Sequence, residues 1–448
     1  MKSGETVRCV FGLAAGLALA AGASAQTVGP DVTYQELTDV TNYGAVGGVR
    51  GYALGSSTCN IGNQNLRWIN AGSPVLAMNA YRLHNGRLVQ IGQGWSKTAC
   101  CAAAGSGCAP TCNNQGGNVL GAGCRDVYGG GFNGIQSKLQ PRSAVNAFTG
   151  AMSPATTASG DAIFRRLQVR QTDMNTTTFP NATFFVEGAY IADDDAPAGN
   201  GLNNTSHKRV TITQTSFDMT GVGAMQQGIP AIQAWRDHGL GAGVADPTVN
   251  ISTFTVPGEG QYWLATKVTP LRDGFYLYDY AIYNLNSDRS GGSLSIPLGA
   301  GVTVSLPGFN DVNYHSGEPY DNTDWRSTIT PTSIRWDSPQ AFAQNPNSNA
   351  LRWGTMYNFW FTADSAPTRV DATFGLFKPG TPTSISFPVT APAARCTADW
   401  NESGIVDSQD FFDFLADLFN GNADFNNSGA TDSQDFFDFV NAFFVPCP

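Results

Sequence analysis

Nine stretches of this chain alternate polar and apolar side chains with a period of two. They are TFFVEGAYI (183–191), KRVTITQTSFDM (208–219), QYWLATKVTPL (261–271), GFYLYDYAIYNL (274–285), GGSLSIPL (291–298), GVTVSL (301–306), TSIRWDS (332–338), MYNFWFTAD (356–364) and VDATFGLF (370–377). Each is short, rich in β-branched and aromatic residues, and bounded by Gly, Pro, Asn or Asp. That pattern predicts β-strands at the spacing of a sandwich or barrel. Residues 258–389 read as one β-sandwich-like domain. Residues 26–257 read as a second β-rich region, with few clear strands between Gly94 and Gly150. TPTSISFPVTAPAAR (381–395) closes the last strand and becomes a Pro/Ala linker at 390–395.

The period changes beyond residue 396. Phe411, Phe412, Phe414, Leu415, Leu418 and Phe419 recur at helical spacing. So do Phe436, Phe437, Phe439, Val440, Phe443 and Phe444. Each set predicts the buried stripe of an amphipathic helix. A polar sentence precedes each stripe: DWNESGIVDSQD from Asp399, then DFNNSGATDSQD from Asp424. In both copies oxygen-bearing side chains stand at loop positions 1, 3, 5, 9 and 12, with Gly at position 6 (Gly404, Gly429). This is the ligand schedule of a calcium loop, because alternate residues of a tight turn can aim six to eight oxygens at one hard cation. The candidate Ca2+ ligands are Asp399, Asn401, Ser403, the Ile405 carbonyl, Asp407 and Asp410. In the second copy they are Asp424, Asn426, Ser428, the Ala430 carbonyl, Asp432 and Asp435.

Charge sharpens this reading. The net charge is −10, yet residues 396–448 carry ten acids and no base, while the remaining 25 acids balance 25 bases. All the excess charge lies in the tail. Two calcium ions would cancel four of those charges, so the tail is expected to fold with calcium. No basic patch suggests a nucleic-acid partner.

The two loop–helix units together resemble a dockerin, and most closely the GC-type dockerin tails of secreted bacterial proteins. Asp at position 12 and the repeated DSQDFFDF carry the likeness. The chain ends NAFFVPCP, with Val-Pro where that family has Gly before the Cys, and Ser403 and Ser428 leave each loop one charge short of the strongest examples. The resemblance covers about fifty of the 448 residues. It implies a small all-α pair of calcium loop–helix repeats at 396–448, a cohesin-like or cell-envelope docking partner, and a cargo held at a surface or in an extracellular complex.

The other end of the chain agrees with export. Lys2 and Arg8, an apolar run, and Ala23-Ser24-Ala25 predict a signal peptide over 1–25, with no membrane span afterwards. Eight cysteines then remain, and an oxidising compartment predicts disulfides. Six of them (Cys59, Cys100, Cys101, Cys108, Cys112, Cys124) form a cluster whose connectivity the sequence leaves open. Their spacing lacks paired C-x-x-C motifs, and His84 has no partner histidine, so a zinc site is disfavoured. Cys396 and Cys447 bracket the tail, and antiparallel packing of its two units predicts a disulfide between them.

Candidate catalytic groups fall in two loops. One holds Asp193, Asp194 and Asp195. The other gathers Asp311, His315, Glu318, Asp321, Asp324 and Trp325, with Tyr314 and Tyr320 as further platforms for sugar rings. Paired carboxylates are what a glycosidase needs. The plainer expectation is that both loops are polar turns and the aromatics are core. Two functions follow: a non-catalytic β protein tethered by its tail, or a dockerin-bearing carbohydrate-active enzyme, a glycoside hydrolase acting on polysaccharide.

Overall fold

The computed structural model describes residues 26–445 except 104, 155–156, 316, 402, 404 and 427. The expected signal peptide, Gly404 and Cys447 therefore lie outside the described residues. The molecule is mainly β, as the alternation predicts, and every one of the nine stretches contains strand. KRVTITQTSFDM is not one strand, however. Thr205–Ile212 ends at a turn, and a new strand, Met219–Gln226, begins at its last residue.

The first β unit is a large sheet. Its main path runs Val32–Val46, Val49–Asn60, Leu167–Arg170, Arg87–Gln93, Val75–His84, Thr183–Ile191, Thr205–Ile212, Met219–Gln226. The sheet curls until its two ends approach. Asn42 Nδ2 donates to Asp218 Oδ1 at 2.7 Å, and Gln227 Nε2 donates to the Gln35 carbonyl at 3.0 Å. The concave side buries Tyr34, Tyr52, Leu54, Met78, Phe184 and Val186.

The second unit is a sandwich of two five-stranded sheets. One has the order Asn250–Thr255, Gln261–Pro270, Tyr276–Asn284, Met356–Ala363, Val304–Asn310. The other runs Arg326–Thr330, Ser333–Asp337, Gly291–Pro297, Pro367–Leu376, Ser384–Pro392. The sandwich thus begins before residue 258 and ends inside the stretch read as linker. Both discrepancies are edge strands. Asn250–Thr255 buries only Phe254, so its apolar signal is weak. Ser384–Pro392 carries Pro388 and Pro392, which an edge strand tolerates because no outer neighbour needs their N–H.

The two units form three layers. In YLYDYAIYN, Tyr278, Tyr280 and Ile282 face the sandwich interior. Ala281 and Tyr283 face the large sheet, meeting Tyr81, Leu83, Leu88 and Phe185. A strand covered on both sides reads as a nearly continuous apolar run. Ala265 and Ala281 keep the facing surfaces small, so the layers approach closely.

A polar knot pins this interface. Fully buried Glu187 accepts from Asn79 Nδ2 (2.8 Å), Tyr81 OH (2.9 Å), Tyr283 OH (3.0 Å) and the Ala231 N–H (2.6 Å). Buried Arg142 extends it, donating to Asn79 Oδ1 at 2.7 Å and the Gly354 carbonyl at 3.0 Å. Buried polar groups cost several kcal/mol if unpaired, so such a network joins the units only because it is satisfied.

The tail contains two helices, Ser408–Phe419 and Ser433–Phe443. Phe414 and Phe439 stack between them with ring centroids 3.9 Å apart and planes 2° from parallel. Trp400, Phe411, Leu418, Phe425, Phe436, Val440 and Phe443 pack around this pair.

Candidate functional site

Each tail helix starts on an aspartate. Asp407 accepts from Gln409 N–H and Asp432 from Gln434 N–H, both at 2.7 Å. Three residues on, Asp410 accepts from Asp407 N–H (2.9 Å) and Asn401 N–H (3.0 Å). Asp435 repeats this with Asp432 N–H (2.8 Å) and Asn426 N–H (3.1 Å). These are reciprocal helix caps, and each carboxylate also ties the start of its loop to the first turn of its helix.

The rest of each loop matches too. Ser403 N–H donates to Asp399 Oδ1 (2.9 Å) and Asn401 Oδ1 (3.0 Å), and Ser403 Oγ donates to the Ile405 carbonyl (3.1 Å). Ser428 makes the same three bonds to Asp424 (2.8 Å), Asn426 (3.0 Å) and the Ala430 carbonyl (3.1 Å). Gly429 adopts φ +87°, the left-handed turn expected at position 6.

Burial raises the Asp410 carboxyl, but the N–H donors from Asp407 and Asn401 outweigh it and hold the group below its ordinary range. Asp435 is lowered, chiefly by the Asp432 N–H. The Asp399 side chain approaches the Asp410 carboxylate within hydrogen-bonding range. The candidate ligands are all hard oxygens, and carboxylates at positions 1 and 12 suit calcium rather than a soft metal. Among the described residues, no three His, Cys, Asp or Glu side chains converge as a metal cluster. The amide, hydroxyl and carbonyl oxygens of Asn401, Ser403 and Ile405, and their counterparts, would have to complete each set.

The helical stripes are only partly buried. Phe412 is 61%, Phe419 84%, Phe437 58% and Phe444 79% exposed. An i, i+1, i+7, i+8 stripe is wider than one helix–helix contact can cover, so its second edge faces outward on both helices. The bracket cysteine Cys396 is disulfide-bonded.

In the β body, sequence-predicted acids turn out to be staples. Asp193 pairs with Arg67 at 3.0 Å, and Asp194 accepts from the Arg67 N–H at 2.7 Å. Asp195 is fully buried and accepts from Val32 N–H (3.1 Å) and Asn204 Nδ2 (2.6 Å). Burial pushes its carboxyl up to about 7. Glu318 accepts from the Arg142 and Ser143 N–H groups, at 2.5 and 3.3 Å. Asp321 accepts from the Thr323 N–H at 2.7 Å, and Asp324 is exposed.

Of the candidate sugar platforms, Trp325 and Tyr314 are core, as the plainer expectation had it, and Tyr320 is half-buried. Trp325 is buried and donates to the Asn349 carbonyl at 2.9 Å. Tyr314 is buried against Tyr357, hydroxyl to hydroxyl at 2.9 Å. His315 is buried beside Trp95. Tyr320 lies under the Arg352 guanidinium, 4.1 Å from ring centroid to cation.

One member of that loop does reach a cavity. Asp311 lines a crevice of about 520 Å3 between the large sheet and the 310–322 loop, with Arg82, Gln168, Asp173, Asn310 and Asn322. Burial raises its carboxyl to about 6; Asn349 Nδ2, at 2.5 Å, lowers it in part, and Asp324 adds to the rise. Across the crevice Asp173 is paired with Arg82 at 3.0 Å. Sequence reading missed Asp173, Arg142 and Glu187. Only Glu187 left a signal, as a lone charge inside the apolar strand TFFVEGAYI.

Fold and sites together describe a mainly β protein that ends in two loop–helix repeats. No family model matches the chain. No curated protein matches it. Among solved structures it is similar to the exo-chitosanase CsxA of Amycolatopsis orientalis, at 9% identity and a TM-score of 0.14, over 76% of this chain and 25% of that one. A complex of that enzyme with PNP-beta-D-glucosamine aligns at 8% identity and a TM-score of 0.15. The chain spans about a quarter of that enzyme's length, and likeness at this level carries no argument about fold or activity.

Proposed function

We propose that this chain is an exported β protein held at a cell surface or in an extracellular complex by a calcium-binding, dockerin-like tail. What supports the reading is the bond-for-bond agreement of the two loops around Asp399–Asp410 and Asp424–Asp435. Calcium would be held by Asp399, Asn401, Ser403, the Ile405 carbonyl, Asp407 and Asp410. The second ion would be held by Asp424, Asn426, Ser428, the Ala430 carbonyl, Asp432 and Asp435. The bound ions supply cancellation of carboxylate repulsion; the chain supplies the caps that orient the ligands and the phenylalanines that lock the helices.

The partner is cohesin-like or part of the cell envelope. Phe412, Phe419, Phe437 and Phe444 supply an apolar contact surface amid acids, and such a surface fits a partner with an apolar patch rimmed by Lys and Arg. Fractionation of the organism that encodes the chain tests this. The protein is expected with the cells, released by a calcium chelator, and secreted into the medium as the Phe412→Asp/Phe437→Asp variant. Retention of that variant on chelated cells would overturn the reading.

A second reading makes the cargo a carbohydrate-active enzyme. It is favoured by one observation, a carboxyl raised to about 6 at Asp311 in the crevice that Asp173 also lines. It predicts release of reducing sugar from at least one polysaccharide in a panel, abolished by Asp311→Asn. Activity that survives that substitution would remove Asp311 from the chemistry.

A further inference from the structure

Two of the cysteine pairs are closed: Cys59–Cys108 and Cys112–Cys124. Cys396 is also disulfide-bonded. Cys100 and Cys101 remain as thiols. Their sulfurs stand 3.4 Å apart, and Cys101 is exposed while Cys100 is half-buried. Among the described cysteines each therefore has the other as its sole available partner. We propose that Cys100 and Cys101 close on each other as a vicinal disulfide, an easily reduced bond that makes this loop a redox-sensitive site.

The surroundings hold the pair in place. The Cys101 N–H donates to the Tyr128 hydroxyl at 3.3 Å, and that hydroxyl donates back to the Cys101 carbonyl. The Lys97 ammonium sits 4.0 Å from the centre of the same tyrosine ring and is buried. The Cys101 thiol donates to the Cys100 sulfur, and that bond raises the Cys101 thiol above its ordinary range, so the thiolate that attacks a disulfide forms more readily as pH rises. The flanking disulfides anchor Cys108 and Cys112 on one side, and the strand Ser96–Thr98 anchors the other. The CC dipeptide is thereby prevented from wandering to a distant partner.

The chemistry balances with a small disulfide such as oxidised glutathione. One cysteine, as thiolate, attacks that disulfide and releases one glutathione thiol. The second attacks the resulting mixed disulfide, closes the ring and releases the other. Two protons and two electrons leave the protein and end on two glutathione molecules. Adjacent Cα atoms lie about 3.8 Å apart, below the roughly 4.4–6.8 Å that unstrained disulfides span. The ring is therefore strained, and strained, exposed disulfides are the reducible ones. The two closed pairs, with Cα separations of 5.6 and 4.6 Å, fall within the ordinary range.

In a cell this oxidation rests on the chain reaching an oxidising compartment, but the test supplies its own oxidant and stands apart from that reading. The full chain is incubated with oxidised glutathione, trapped with N-ethylmaleimide and analysed by peptide mass spectrometry. The peptide holding both cysteines should lose two hydrogens and take no maleimide. Brief treatment with a phosphine reductant should then give two maleimides there before either Cys59–Cys108 or Cys112–Cys124 opens. The Cys100→Ser variant should instead keep a glutathione on Cys101. A stable glutathione adduct on the unaltered chain, covalent dimers, or two thiols that never oxidise would each overturn the proposal.

Discussion

Replacing Phe439 with Ala tests whether calcium and folding are coupled in the tail. Phe439 has no exposed surface, and its ring stacks 3.9 Å from that of Phe414. Phe425, Phe443 and Trp400 surround it with centroids at 5.5, 5.7 and 6.2 Å. Truncating so enclosed a phenylalanine costs about 4 kcal/mol, within the usual 3–5. If the unit folds only as two ions bind, that loss must be made up by mass action at two sites, about 2 kcal/mol each. At about 1.4 kcal/mol per tenfold, the calcium concentration at half-folding should rise about 30-fold. Hydrogen exchange of the full chain across a calcium titration, read in Ser408–Phe419 and Ser433–Phe443, measures that midpoint. Phe412→Ala, at a position 61% exposed, is the control and should leave it nearly unchanged. An unmoved midpoint for Phe439→Ala, with protection lowered equally at every calcium concentration, would refute the coupling.

Glu187→Ala strips four donors of their acceptor at the interface of the two β units, and we expect a loss of about 3–5 kcal/mol in thermal or denaturant unfolding; a loss under about 1 kcal/mol would show that the knot is not structural. Asp195, raised to about 7 in the folded chain from an ordinary 3.8, binds its proton more tightly folded than unfolded. Its contribution therefore erodes stability as pH rises through that window, and Asp195→Asn should flatten the pH dependence of Tm between those values; an unchanged slope argues against it. Asp311 acts in the same direction below about 6, so if the crevice binds sugar through a protonated Asp311, affinity measured by calorimetry should fall above that pH, and Asp311→Asn should remove the dependence.

What this sequence determines by itself is what short range can specify. A twelve-residue loop carries its own oxygen donors and its own helix cap, so the two DSQD sentences are legible before any packing is known. The strands at 274–285 and 356–364 are legible for a related reason: burial on both faces fills them with aromatic and aliphatic side chains, a composition that marks a strand even where the alternation is imperfect. The long strands Val32–Val46 and Val49–Asn60 are not legible, because bulges break the alternation of the first and the small residues of ALGSS at 53–57 dilute the second. Tertiary structure alone decides which acids become staples and which reach a cavity, since Asp193–Asp195 and Asp311 look alike in sequence. It also decides that Phe412 and Phe437 face outward, because one helix partner covers one edge of each stripe. Above all it decides the join between the β units. Asn79 meets the Gly354 carbonyl across 275 positions of chain, and no local pattern encodes a contact whose partners are chosen only when three layers of sheet close on one another.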